Sequence, residues 1–393
     1  MRRLPVNIAI NAKERVCARA EHVSKVAFVV GGDYDSAMGH RARSMAARLS
    51  SDYNIQIAYR SRRKILSILN AFVFLVRVHP LAIYVFDISY TGVLASCLYR
   101  FMFRNCLIVE TGDAIVELVR STGNRGRVGL WLTRLLEKTA FGLADRIVVR
   151  GSFHKELLSG QGIESDVIQD GVDTDNFMAG DVTALRKQYG LEEVLTVGLV
   201  GSSIWSEKLQ MCYGWELVET LRLLKGKPVK GIMIGGGSGI PHLKARCREY
   251  GIEEEIIFLG QVPYEQLPRY LQLIDICLST QTNDLVGRVR TTGKLPLYLA
   301  AGRYILATDV GEAALVLDKE MLVEYEGVKD EGYPQKLKER IEIILEHPGM
   351  LERSTHNVAV ARENFDYSIL AERMEKVIET TVKRQRSRCN EKE

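Results

Sequence analysis

The stretch from Ile274 to Val316 constrains the fold more than any other part of the sequence. A short apolar run, Ile274 to Leu278, reads as a buried strand and gives way to a polar loop, Ser279 to Thr292. That loop holds Arg288, Arg290, Thr291 and Thr292. Gly293 supplies a turn, and Lys294 to Ala301 has helical apolar spacing at Leu295, Tyr298 and Leu299. Gly302 stands where a helix end favours a residue tolerant of positive φ. A second apolar strand, Tyr304 to Ala307, follows directly. Strand, loop, helix and strand make a βαβ unit, and its loop lies at the carboxyl end of a parallel strand, where such sheets bind ligands. Cations beside a helix N-terminus suit a phosphate or diphosphate.

The run Gly293 to Val316, GKLPLYLAAGRYILATDVGEAALV, resembles the donor-binding segment of the retaining nucleotide-sugar glycosyltransferases with the two-domain GT-B fold. In that family a Lys- or Glu-rich loop precedes a helix ending in Ala-x-Gly, a short apolar strand and a Gly-Glu turn. Many members carry two Glu residues eight positions apart, the second on the nucleotide ribose. Val289 and Leu297 occupy those positions here, so both carboxylates are absent.

Alternating strands and helices extend the same pattern along the chain. Strands are predicted at Lys25–Val30, Asn54–Tyr59, Leu81–Phe86, Cys106–Glu110, Asp145–Val149 and Asp166–Gln169, which implies a parallel, doubly wound α/β sheet. Residues 1–24 read as an extension before it. Gly31 and Gly32 leave the first strand and permit close approach of a ligand to the backbone, the plain alternative being a tight turn. A helix from Met38 to Leu49 carries His40. Arg60 to Val76 joins a basic start (Arg60, Arg62, Arg63, Lys64) to a helix that is apolar on most faces. That pattern favours burial over a seat in a membrane interface. Glu110 and Asp113 leave the fourth strand where they could face a cleft or cap a helix. Arg120 to Arg127 reads as a basic, glycine-containing loop.

From Ala144 the text reads ADRIVVRGSFHKELLSGQGIESDVIQDGVDTDNF, and Gly171, Val172, Asp173 and Phe177 match the end of the first domain in the resembled family. Asp170 replaces the usual Asn. Asp173-Thr174-Asp175 and Asp33-Tyr34-Asp35 spell DxD, which can hold a metal through paired carboxylates, but each reads better as a turn. No metal site is predicted. The second domain then opens with a strand, Val194 to Val200, a loop, Gly201 to Lys208, and a helix, Leu209 to Leu224. In the family this loop brings an Arg and a Lys onto the leaving diphosphate. Lys208 fits the Lys, Ser202 stands where the Arg is expected, and Trp205 belongs to a one-residue insertion. Gly235-Gly236-Gly237-Ser238-Gly239 lacks the Lys-Ser/Thr of a P-loop. Gly260-Gln261-Val262-Pro263 resembles the family's base-contacting loop. A helix from Ser368 to Lys383 is expected to cross back onto the first domain, and Arg384 to Glu393 to be a disordered charged tail.

Composition decides the setting. With 46% hydrophobic and 26% charged residues the chain reads as a soluble globular protein. Its net charge of +4 is unevenly placed. The first 180 residues hold 24 Lys and Arg against 17 Asp and Glu, and the rest 29 against 32. The basic half suits an anionic partner such as a membrane surface, or is a solvated face. Seven scattered cysteines without CxxC spacing argue against disulfides and zinc and for a reducing cytosol. No secretory signal is read at the N-terminus, and Ile65 to Val76 falls short of the ~20 residues a bilayer span needs.

The resemblance implies two Rossmann-like domains facing a cleft, with boundaries at 1–178, 179–364 and 365–393. It implies transfer of a sugar from a UDP-, GDP- or ADP-sugar to a glycan or lipid-linked acceptor with retention, and no required cofactor. In the usual picture for the resembled family the leaving diphosphate itself would take the acceptor proton. Lys208 and Arg290 would hold the diphosphate, with Lys294 near it or the sugar. Gly31, Gly32, Gly201, Ser202, Gly235, Gly236, Thr291 and Thr292 would line the phosphates. Gln261 and Val262 would hold the base, and Asp113 and His40 the acceptor or sugar. Location would be cytoplasmic, with peripheral membrane contact through the first domain. The rivals are a sugar-nucleotide epimerase of the same architecture and a binding-only partner that has lost its activity. A nucleic-acid-binding role lacks any recognisable module.

Overall fold

The computed structural model describes residues 24–390 apart from 62, 124, 178 and 179. The expected N-terminal extension lies outside the described residues up to position 23, and Ser24 already opens a strand.

The first sheet contains β1 (Ser24–Val30), β2 (Tyr53–Ala58), β3 (Ala82–Phe86), β4 (Cys106–Thr111), β5 (Arg146–Val149) and β6 (Asp166–Val167). Every pairing is parallel, in the order β2-β1-β3-β4-β5-β6. Helices fill the crossovers: α1 (Ala37–Ala46), α2 (Lys64–Val78), α3 (Tyr90–Phe103), α4 (Ile115–Thr122), α5 (Arg127–Leu143) and α6 (Ser152–Ser159). β3 and β4 are buried throughout and β1 from Val26 onward, as parallel strands covered on both faces must be. Period-two alternation divides them. Val26, Phe28 and Tyr84 face one helical layer, while Ala27, Val29 and Ile83 face the layer of α2, α3 and α5.

The second sheet holds β7 (Leu195–Val200), β8 (Val229–Ile234), β9 (Ile256–Gly260), β10 (Ile276–Ser279), β11 (Tyr304–Thr308) and β12 (Leu322–Val323). Its order, β12-β11-β10-β7-β8-β9, reverses between β7 and β10, so the carboxyl ends of those two strands form its switch point. The helices here are α7 (Thr183–Gln188), α8 (Trp215–Leu223), α9 (Ile240–Tyr250), α10 (Leu267–Leu271), α11 (Leu285–Val289) and α12 (Lys294–Ala300). After them come α13 (Ala313–Val316), α14 (Tyr333–Glu346), α15 (Thr355–Asn364) and the long α16 (Tyr367–Asn390).

Backbone bonds tie the crossing points together, from Val172 N–H to Phe365 O and from Tyr367 N–H to Val172 O. Beyond them α16 packs on α1 and β4 and buries Leu370, Met374 and Ile378 in the core of the first domain. The tail expected to be disordered from Arg384 instead continues this helix to Asn390, because Gln385 bonds the Arg104 carbonyl and Cys106 Sγ.

Three other expectations need correcting. The helix predicted from Leu209 begins at Trp215, because Ser206 N–H bonds Met211 O and Gly214 takes φ 101°, holding the preceding residues in a loop. The polar loop after β10 contains α11, capped by Asp284 on the Gly287 N–H at 2.9 Å. Finally, α2 buries one stripe, Ser67, Ala71, Leu75 and Val78, while Leu66, Leu69 and Val73 face outward. Apolar on most faces did not mean buried on most faces.

Candidate functional site: the cleft between the sheets

Loops after β7, β8 and β10 gather at the second sheet's switch point, and glycine lets them pack. Gly235, at φ 132°, lies so close to the β7 loop that a Cβ there would sit 2.0 Å from the Gly201 carbonyl oxygen. Gly201 itself takes φ 149° with the Lys294 stem against it. Ser203 N–H bonds Gly236 O at 2.8 Å, and Gly239 N–H returns to Ser203 O at 2.8 Å. The GGGSG run therefore accommodates a neighbouring loop, and these glycines answer a packing demand first. Gly235 N–H also reaches Gly260 O at 2.7 Å, which brings Gln261 and Val262 alongside. Ser202 and Gln261 are exposed. Across the cleft, Gly31 and Gly32 leave room for the Ser89 and Ser36 side chains, so they too have a packing role.

Lys294 opens α12 with its ammonium 3.8 Å from the centre of the Tyr213 ring. Burial pushes its pKa down to about 8, with the buried Glu216 opposing and Arg290 adding to the shift. Glu216 accepts the Gly214 N–H at 3.0 Å, its other oxygen has no hydrogen-bond partner, and burial pushes its carboxyl up. Tyr298, on the same helix as Lys294, receives the Val200 N–H at 2.8 Å and so fixes α12 to the end of β7.

Arg290 and Asp113 meet across the cleft at 2.8 Å, one from each domain. Next to them the Thr291 hydroxyl donates to Asp170 at 2.7 Å, a second cross-domain bond. Asp170 is buried, which alone would raise its pKa, but Arg150, Arg41 and Thr291 outweigh burial and hold it low. Arg150 also pairs with Asp87 at 2.9 Å. Glu312, in the Gly-Glu turn, accepts the Ser152 N–H from the first domain. Between Arg150, Asp170, Arg290, Thr291, Thr292 and Glu312 these contacts leave a small cavity of about 10 Å³, roughly the space of one water. The Thr292 hydroxyl is buried there without a partner.

The other candidates sit apart from this centre. Lys208 is exposed and donates to the Ser121 carbonyl of the first domain at 2.9 Å. His40 packs on Tyr264 with ring centres 4.1 Å apart, and burial, then Arg43, lower its pKa. Glu110 corrects an expectation: it points into the first domain's core, bonded by Arg41 Nε at 3.0 Å and Tyr84 OH at 2.6 Å, and not into the cleft. Asp173 of the DxD run pairs with Arg48 at 2.6 Å in a turn. No cluster of three His, Cys, Asp or Glu suited to a metal ion occurs among the described residues. A larger cavity of about 610 Å³ lies elsewhere, between α8 and α9 and lined by Trp205, Trp215 and His242.

Sequence reasoning passed over Glu216 and Arg150, and gave Glu312 only as part of the Gly-Glu turn, without its partner. Glu216 carried a usable signal, a carboxylate followed by Leu217, Val218 and Leu221 on the buried side of a helix whose other carboxylate, Glu219, is less buried. Arg150 carried none, since its partners lie in distant elements.

Residues 195–347, which include all six strands of the second sheet, match the model of the family described as Glycosyl transferases group 1. The chain is 28% identical over 187 residues to the 2-deoxystreptamine glucosyltransferase of Streptomyces kanamyceticus, covering 46% of this chain and 43% of that protein. It thus spans less than half the length of the curated relatives it matches. Among solved structures, sucrose-phosphate synthase of Thermosynechococcus elongatus superposes with a TM-score of 0.72 at 14% identity, over 91% of this chain and 98% of that one. HepE of Anabaena in complex with UDP-glucose does so with a TM-score of 0.71 at 15% identity, over 91% and 99%. Both likenesses concern the fold of the whole chain.

Proposed function

We propose that this GT-B chain, whose second domain matches Glycosyl transferases group 1, moves a sugar from a nucleotide-sugar to a glycan or lipid-linked saccharide, retaining configuration and without a metal. The observation that carries the reading is the family match laid on the loops of the second sheet's switch point, where Arg290 ends α11 and Lys294 opens α12. That is where a parallel sheet receives a nucleotide, and the cations supply the countercharge a leaving diphosphate needs. Arg290 and Lys294 hold the diphosphate with Lys208, the turn of Thr291 and Thr292 lines it, and Gln261 and Val262 lie beside the base. Asp113 and His40 face the acceptor from the first domain. The units are residues 1–178 for the acceptor, 179–364 for the donor, and 365–393 returning, at the cytoplasmic face of a membrane.

Because Asp113 already engages Arg290 across the cleft, the donor's diphosphate replaces Asp113 as the partner of Arg290. Titration calorimetry with UDP, GDP and ADP in metal-free buffer tests this. One nucleotide should bind with micromolar affinity, and Arg290→Ala should weaken it about tenfold or more, the loss of a charge-assisted contact of roughly 1.5–3 kcal/mol. Absence of binding by all three would discard the diphosphate site and leave the fold with a binding-only role.

A further inference from the structure

The layer formed by α2, α3 and α5 has an outward side that none of the described residues covers. Each helix buries one stripe against β1, β3 and β4, as the sheet requires. Each also carries a second apolar stripe pointing away from it: Leu66, Leu69 and Val73 on α2, Leu98 and Phe101 on α3, Trp131 and Leu135 on α5. Phe101 is 87% exposed and Trp131 60% exposed. Scattered exposed apolar residues are ordinary, but here α2 packs along α3 and α3 along α5, so the stripes lie side by side. None of the helices is long and apolar enough to cross a membrane, so the layer can lie only on one.

Charge decides what the layer meets. The three helices expose Arg77, Arg127, Arg134 and Lys138, with Arg100 tied to Asp145, against a single carboxylate of their own, Glu137, which burial pushes toward its neutral form. Arg104 at the end of α3 is exposed as well. A second copy of this chain docking on the layer would face it with the same cations, because a two-fold interface sets a surface against itself. An apolar surface rimmed by cations instead complements a bilayer with anionic headgroups, where each nearby Lys or Arg adds to binding.

We infer that the outer face of α2, α3 and α5 is the docking surface of the protein on an anionic membrane. The inference deepens the transferase reading and rests on it only in assigning the acceptor. The last turn of α4 holds Ser121, which Lys208 contacts beside the cleft, and α5 of the docking layer begins shortly after it at Arg127. A lipid-linked acceptor held in the bilayer therefore lies at the first domain's side of the cleft, and the class of acceptor follows from the surface.

Vesicle flotation with the full chain tests the surface without nucleotide or acceptor, so its outcome is independent of the calorimetry. Vesicles of phosphatidylcholine alone are compared with vesicles containing phosphatidylglycerol, for the wild type, Phe101→Ser/Trp131→Ser and Arg134→Glu/Lys138→Glu. Circular dichroism confirms that the exposed substitutions leave the fold intact. Binding should require phosphatidylglycerol, shift Trp131 emission to the blue, and fall about tenfold or more in both variants. The assignment is overturned if the wild type fails to bind or the variants bind equally. It is equally overturned if sedimentation finds a dimer that the Phe101→Ser/Trp131→Ser variant dissociates while vesicles bind neither protein.

Discussion

Glu110 and Asp113 stand three residues apart at the end of one strand, and each meets an arginine, yet the two pairs are opposites. The Glu110–Arg41 pair is wholly buried, with Arg41 also bonding the carbonyls of Ile168 and Gln169 and Tyr84 donating to the carboxylate. The Asp113–Arg290 pair joins two domains, with the arginine side chain 46% exposed. A buried pair resists rearrangement because neither charge tolerates losing its partner, whereas water readily replaces either member of an exposed one. The first pair fixes the scaffold at the carboxyl end of β4, and the second is a contact that opening can break.

The largest test of this contrast strikes the buried side. Arg41→Met leaves Glu110 desolvated beside Tyr84 and should cost about 3–5 kcal/mol in urea unfolding. Arg41→Met/Glu110→Gln should recover part of that loss, because no charge is then stranded. An Arg41→Met protein as stable as the wild type would erase the distinction between the two pairs.

A middle-sized effect belongs to Lys294, which sits between fixed and movable regions with its pKa pushed down to about 8 by burial. A bound diphosphate favours the ammonium and raises that pKa in the complex. Nucleotide affinity should therefore be full below about pH 8 and fall as pH rises above it, by at most about tenfold per unit. Lys294→Arg, charged throughout, should show a flat profile over that range. Unfolding does not mimic the decline. Between about 8 and the ordinary lysine value of 10.5 the unfolded chain holds a proton that the folded one lacks, so this group adds stability as pH rises. A wild-type affinity that stays level through pH 9 would remove Lys294 from contact with the phosphates.

The same contrast marks what the sequence could convey. Strands such as β1, β3 and β4 were legible because a strand buried on both faces must be a continuous apolar run. The βαβ unit of β10, α12 and β11 was legible from Gly293, Gly302 and the spacing between them. Partners were not. Arg290 and Asp113 are 177 positions apart, and Glu110 and Asp113 share the tetrapeptide ETGD with nothing local to say which enters the core. The outward stripe of α2 was misread for a related reason, since apolar residues on every side of a helix look alike whether another helix or a bilayer covers them. Likewise, the glycines of the β8 loop advertised a close approach without naming whether a phosphate or the Gly201 carbonyl makes it.

The smallest effect is the most discriminating, and it concerns Asp113. If the Arg290–Asp113 contact is a latch that the diphosphate displaces, Asp113→Asn removes a competitor for the arginine. A half-exposed pair is worth about 0–1 kcal/mol, so nucleotide affinity should rise by up to about fivefold while unfolding stability changes by no more than that amount. Adding Asp113→Asn to Arg290→Ala should then change affinity no further, since the two side chains act only through each other in this step. Turnover supplies the second axis. If Asp113 also faces the acceptor, as proposed, Asp113→Asn should bind the nucleotide more tightly yet turn over more slowly, a split that a purely structural ion pair would not produce. An affinity unchanged in Asp113→Asn, with Arg290→Ala still weakened, would mean that Arg290 meets the diphosphate without first leaving Asp113, and the exposed pair would then be as fixed as the buried one.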